Sequence, residues 1–121
     1  MRELSNCSGP WEGYWIQGRV RGYMELGLAF DEGRIDGVGT DQIGPFVLSG
    51  LYGGESVSLM KDYATHRVGY EGIWDGTMIA GSWAMTYEED IFDAGLFEIW
   101  PRAESREQTL EELTRESAWS G

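Results

Sequence analysis

The only lysine and the only histidine of this chain stand together in the stretch Lys61-Asp62-Tyr63-Ala64-Thr65-His66-Arg67-Val68-Gly69-Tyr70. An ammonium and an imidazole so placed could bind an anion or hold a carboxylate. With a carboxylate or phenol to orient the ring, they could also move a proton. Lys61 is in step with Val57 and Leu59, and His66 with Val68 and Tyr70. In strands, that phase turns both side chains toward a buried face. Asp41 continues the row Ile35, Gly37, Gly39, and Tyr63 and Met85 reach the same end. An inward lysine is costly unless it is paired or hydrated, and Asp41 is its nearest inward carboxylate. Tyr63, Tyr70 and Trp83 add aromatic walls with polar tips.

Asp41, Lys61, Tyr63, His66, Tyr70 and Trp83 are therefore the candidate ligand-binding residues, a polar collar on an apolar interior. The expected ligand is small and partly apolar, with an anionic group for Lys61 and His66. Other readings stay open. Lys61, Asp41 and His66 could form a satisfied plug at the end of a filled interior, or Lys61 could snorkel to water. Trp83 and Tyr70 could be core filler. Inward Gly37, Gly39 and Gly81 could serve strand coiling rather than ligand space. His66 could act as an acid or base, with Asp41 or Tyr63 orienting it and Lys61 stabilising negative charge. No nucleophile elbow, Walker loop or recognisable Ser–His–Asp set is present, so no residue is assigned as catalytic.

The elements that must position these residues are short and sharply punctuated. The alternation predicts strands over Glu12–Gln17, Gly22–Phe30, Arg34–Asp41, Pro45–Leu51, Ser56–Asp62, His66–Glu71, Thr77–Thr86 and Gly95–Trp100. Most connections are hairpin-sized and rich in Gly or Asp; only Tyr87 to Ala94 reads as long. Strands at about ten-residue spacing with short connections favour an all-β, eight-stranded antiparallel up-and-down barrel over a Greek-key sandwich. One face carries Met24, Leu26, Leu28, Phe30, Phe46, Leu48, Phe97 and Ile99; the other carries residues such as Glu25, Arg34, Ser58, Arg67 and Glu98. The barrel spans 11–102, after an N-terminal extension over 1–10. In the tail, 103–121, Ser105 with Gln108 could cap a short C-terminal helix carrying Leu110 and Leu113.

Gly13-Tyr14-Trp15 on the first strand and Arg102 just after the last resemble the calycin barrels: lipocalins, fatty-acid-binding proteins and avidins. Tight hairpins make the avidin branch the nearer likeness. The resemblance implies a pocket inside the barrel, an arginine stacked on the strand-one tryptophan (Trp15 and Arg102, structural) at the opposite end, and oligomers through the barrel wall. Biotin binding does not carry over, because the first hairpin reads Gln17-Gly18-Arg19.

Composition narrows the function classes. With 21 acidic and 9 basic residues, the net charge is −12. Such a surface repels phosphate backbones and anionic lipid, so neither nucleic acid nor membrane is an expected partner. Cys7 is the only cysteine, so no intrachain disulfide can form. With no apolar leader run, this fits a reducing, cytoplasmic setting. One His and one Cys argue against a transition-metal site, and no cofactor is implied. Glu88, Glu89, Asp90 and Asp93 could hold a hard cation, though a solvated acidic loop is the plainer reading. The main alternative to ligand binding is a filled structural barrel that assembles as a homo-oligomer, with Leu51, Tyr52, Trp74 and Trp100 as a contact patch.

Overall fold

A computed structural model describes residues 2–87 and 90–102. Eight antiparallel strands, each hydrogen-bonded to the next and the last to the first, close into a barrel. They are β1 (Gly9–Gln17), β2 (Val20–Asp31), β3 (Arg34–Asp41), β4 (Gly44–Gly53), β5 (Ser56–Tyr63), β6 (Arg67–Trp74), β7 (Ile79–Tyr87) and β8 (Asp90–Pro101). The period-two pattern decides the faces. Gly22, Met24, Leu26, Leu28 and Phe30 of β2 are buried while their neighbours Tyr23, Glu25 and Ala29 are exposed. Val57, Leu59 and Lys61 of β5 and Val68, Tyr70 and Trp74 of β6 follow the same rule.

The turns are written locally. Glu32 and Gly33 both have positive φ (43° and 86°), the two-residue primed turn whose twist suits a right-handed hairpin. At the β3–β4 turn, Asp41 Oδ1 accepts the N–H groups of Ile43 and Gly44 at 2.9 and 3.3 Å, so a side chain replaces a backbone turn bond.

Several expectations are corrected. The long connection before β8 is short, because β8 begins at Asp90 and pairs Met85 with Asp93 and Thr86 with Ile91. A one-residue bulge at that step hides the continuing strand from a strict alternation count. Glu88 and Glu89, and the helix expected over 103–121, lie outside the described residues. The segment before β1, expected only as an N-terminal extension, has structure of its own. A single 3₁₀ turn, Leu4–Asn6, packs Leu4 and Cys7 into the core and closes the end of the barrel. Trp74 does not belong to a surface patch. It is buried under this turn, its indole N–H donating to the Arg2 carbonyl at 2.8 Å. Tyr52 is half-buried with its ring edge on Phe30, so the expected patch is reduced to Leu51 and half-buried Trp100.

Trp15 and Arg102 do not form a pair. Trp15 lies opposite Gly22 and Phe97, close to the β1–β2 hairpin. Arg102 follows the far end of β8, where its backbone N–H donates to Pro10 and its guanidinium lies 3.6 Å from Glu12 and 3.2 Å from Glu25. Gly9-Pro10-Trp11 is a second Gly-x-Trp on the same strand, and it is Trp11, opposite Pro101, that fills the closed end.

Candidate functional site

The β1–β2, β3–β4 and β5–β6 hairpins, the end of β7 and the start of β8 share the open rim. There the inward ends of β3 and β5 meet. Lys61 Nζ lies 2.9 Å from Asp41 Oδ2, with the two side chains 2% and 0% exposed. Its remaining hydrogens face the Tyr70 hydroxyl at 3.0 Å and the Met24 sulfur at 3.3 Å. The Tyr63 hydroxyl donates to the same Asp41 oxygen at 2.5 Å. The ammonium also lies 4.4 Å from the Phe46 ring centroid and 4.9 Å from that of Tyr63. Asp41 is thus shared: one oxygen ties the β3–β4 turn, and the other ties two strands of the interior.

Desolvation alone would neutralise such a pair, so the compensation has to come from these contacts. Burial pushes the Asp41 carboxyl up, but the hydrogen bonds from Tyr63 and Lys61, the Lys61 charge and the Ile43 N–H outweigh it. The net position is below the usual carboxylate range. Burial pulls the Lys61 ammonium below its usual range, and Asp41 offsets part of that. Burial, followed by the hydrogen bond to Asp41 and its charge, holds Tyr63 far above the ordinary phenol range. Burial and the Asp41 charge do the same for Tyr70.

These shifts set an alkaline limit. A phenol whose folded pKa is raised keeps a proton that the unfolded chain releases above about 10, so its stabilisation is complete below pH 10 and lost above it. Lys61 acts oppositely: its lowered pKa makes stability rise with pH in the window below 10.5. The two phenols outweigh the one amine, so the melting temperature should fall steeply above pH 10. Tyr63→Phe should be less stable at pH 7 yet show a flatter decline between about pH 10 and 11.5. Parallel curves for variant and parent would show that Tyr63 carries none of it.

Lys61 and Tyr70 form the floor of a mouth cavity of about 80 Å³. Below them the interior is packed, with a void of only about 10 Å³ among Met24, Leu26, Phe46, Leu59 and Phe97. The cavity walls include Trp15, Tyr63, His66, Trp83 and Met85, and Gln17 and Asp93 border it. His66 stands at the mouth but outside the charged network. It stacks on Tyr63 at 4.6 Å between centroids, and its Nδ1 is 3.0 Å from the Thr65 hydroxyl. Trp83 likewise lines the cavity without joining the network; its indole N–H donates to the Ile16 carbonyl at 3.2 Å.

The structure therefore brings Asp41, Lys61, Tyr63 and Tyr70 into one bonded cluster, with His66 and Trp83 beside it. Four lining residues were not expected there: Trp15, Gln17, Asp93 and Ile43, the last from the β3–β4 turn. Trp15 was given a structural role at the wrong end. Gln17 continues the inward row Trp11, Gly13, Trp15, and Asp93 precedes the row Gly95, Phe97, Ile99; phase alone could have found both. Asp93 accepts a hydrogen bond from Gln17, which pins the mouth across β1 and β8. Among the described residues, no group of three or more His, Cys, Asp and Glu side chains is placed to hold a metal ion. Set against known proteins, the chain matches no family model, and no curated protein or solved structure is significantly similar to it.

Proposed function

We propose that this protein is a calycin-like binding barrel that takes a small, partly apolar molecule at the rim carrying Asp41, Lys61 and His66. The observation that carries the proposal is the asymmetry of the interior. One end is closed by the Leu4–Asn6 turn over Trp11 and Trp74, whereas the other holds an aromatic-walled cavity floored by a satisfied charge pair. Concave, mostly apolar sites with a few fixed polar groups are the usual places for small ligands. The rigid floor limits the ligand to the mouth and excludes a long acyl chain running down the axis. His66 Nδ1 lies 3.0 Å from the Thr65 hydroxyl, but Asp41 spends its oxygens on Lys61, Tyr63 and the β3–β4 turn rather than on orienting that ring, so the proposed role is binding.

Native mass spectrometry of freshly purified protein, with a denatured run of the same sample, tests this. The expected result is a released mass of a few hundred daltons or less, lost in a variant with Trp83→Ala. Retention of the same mass by that variant would place the ligand elsewhere and sink the reading.

A second reading, a filled barrel that assembles through its wall, is favoured by one observation. Val38 and Val47 face each other across β3 and β4 on the outer surface and are 61% and 55% exposed. A native mass at a multiple of the chain that returns to one chain in Val38→Lys would support it. A single-chain mass at high concentration would end it.

A further inference from the structure

The five described tryptophans differ in one respect. Four indole N–H groups have acceptors: Trp11 on the Cys7 carbonyl at 2.8 Å, Trp74 on Arg2 at 2.8 Å, Trp83 on Ile16 at 3.2 Å and Trp100 on a Glu12 carboxylate oxygen at 3.2 Å. The fifth, Trp15, has a buried Nε1 with no partner, the only such side-chain atom among the described residues. Trp15 is also a wall of the mouth cavity. A buried donor left without an acceptor is costly, and buried polar groups are nearly always bonded. At a ligand cavity, the missing acceptor is one that the ligand can bring.

The surroundings are built for this ring. Gly22 lies directly opposite Trp15 across β1 and β2, and a Cβ there would stand on Cε2, Cζ2 and Nε1 of the indole. Gly95 is opposite Trp83 and makes room for that ring in the same way. Two tryptophans laid against glycine therefore stand on the strands either side of β8, and with the Tyr63–His66 stack they give the cavity a mostly aromatic lining, which suits a planar molecule. The floor cannot supply the recognition, because Lys61 already faces Asp41, Tyr70 and Met24.

We infer that the molecule held in this mouth is an uncharged, planar, single-ring compound that presents a hydrogen-bond acceptor to the Trp15 indole N–H. This rests on the reading of the mouth as a ligand site. The charge follows from the lining. Lys61 and Asp41 cancel, Asp93 remains at the lip, and the whole chain carries −12, so a carboxylate ligand meets repulsion. An ammonium group has no lone pair for the indole. The size follows from the volume: about 80 Å³ holds roughly half a dozen waters at the ~10–15 Å³ that each needs.

The test uses the full chain labelled with ¹⁵N and titrated with benzamide, benzoate and benzylammonium, one ring with three charges. Indole N–H signals are assigned by single Trp→Phe variants. Benzamide is expected to bind best and to move the Trp15 N–H signal to lower field. Trp15→Phe should weaken it about tenfold, the loss of one buried hydrogen bond with its desolvated donor. Gly22→Ala, which drives the indole toward the cavity, should weaken it at least as much while the other indole signals stay dispersed. Tighter binding of benzoate or benzylammonium, or benzamide binding that Trp15→Phe leaves unchanged, overturns the inference and leaves the mouth as a ligand site. If none of the three probes moves the Trp15, Trp83 or His66 signals, the ligand-site reading itself fails, and the inference with it.

Discussion

Replacing Lys61 with methionine should lower the unfolding free energy by about 3–5 kcal/mol, the cost typical of leaving one member of a buried pair unpaired. The side chain of Asp41 is wholly out of water, and methionine fills the lysine's volume without supplying charge or a donor. Asp41 would keep the Tyr63 hydroxyl and two backbone N–H groups, which favour its ionised form but do not cancel its charge. Adding Asp41→Asn should recover more than half of the loss. Asparagine still accepts the Ile43 N–H through its carbonyl oxygen and preserves the β3–β4 turn, while removing the orphan charge. Urea unfolding of the four proteins in this cycle gives the coupling directly. A Lys61→Met loss below about 1 kcal/mol would mean that water reaches Asp41. A double variant as unstable as the single would mean that packing at Lys61, rather than its charge, is what matters.

The pair also has an acid limit. The Asp41 carboxyl sits below its ordinary 3.8, so its stabilisation is present above that value and lost as pH falls through the lower, folded value. Acid unfolding of the parent should therefore begin below about pH 4, and the double variant should lack this component.

The other large effect belongs to the closed end. Trp11→Ala should cost about 3–5 kcal/mol, the range for truncating a large buried aromatic. Trp11 is fully buried, lies 5.6 Å from Phe30 and 5.8 Å from Trp74 between ring centroids, and its N–H holds the Cys7 carbonyl. The loss includes the anchoring of the 3₁₀ turn, so removing residues 1–7 should reproduce much of it by uncovering Trp11 and Trp74 together. Because this end and the Lys61 cluster share no partners, the losses from Trp11→Ala and Lys61→Met should add to within about 0.5 kcal/mol in a double variant. A truncated chain as stable as the parent would show that the turn merely rests on the barrel.

The different fates of these two ends show what could be read in advance. Met24, Leu26, Leu28 and Phe30 alternate with Tyr23, Glu25, Gly27 and Ala29, and that period alone dictates a strand with one buried face. Repeated between turn residues with hairpin connections, it leaves an antiparallel closed sheet as the simplest way to bury every inward row. The same parity places Asp41 and Lys61 on the inside, and pairing them follows from the expense of an inward lysine. The Lys61–Asp41 pair was legible for that reason; that Tyr63 and Tyr70, expected as aromatic walls, join it through their hydroxyls was not.

Parity has no information about depth along a strand. Trp11 and Trp15 occupy the same inward row four residues apart, so parity does not separate them; the β1–β2 hairpin does, since Trp15 lies two residues and Trp11 six residues before the last residue of β1, Gln17, and the register against β8 fixes which end is closed. The β7–β8 bulge was similarly invisible, because one inserted residue breaks the alternation that reveals a strand. His66 was in phase with the core but ended outside the charged network, since a side chain at a turn can follow its neighbour's ring instead of its strand's axis. The sequence by itself determined most of the inward rows, the number of strands and the need of an inward Lys61 for a partner or water, with Asp41 in phase to be that partner, because these depend on period and charge. Only the tertiary structure decided which end is filled and which is open, and that the Trp15 indole was left without a partner, because these depend on how eight registers add up around a closed sheet.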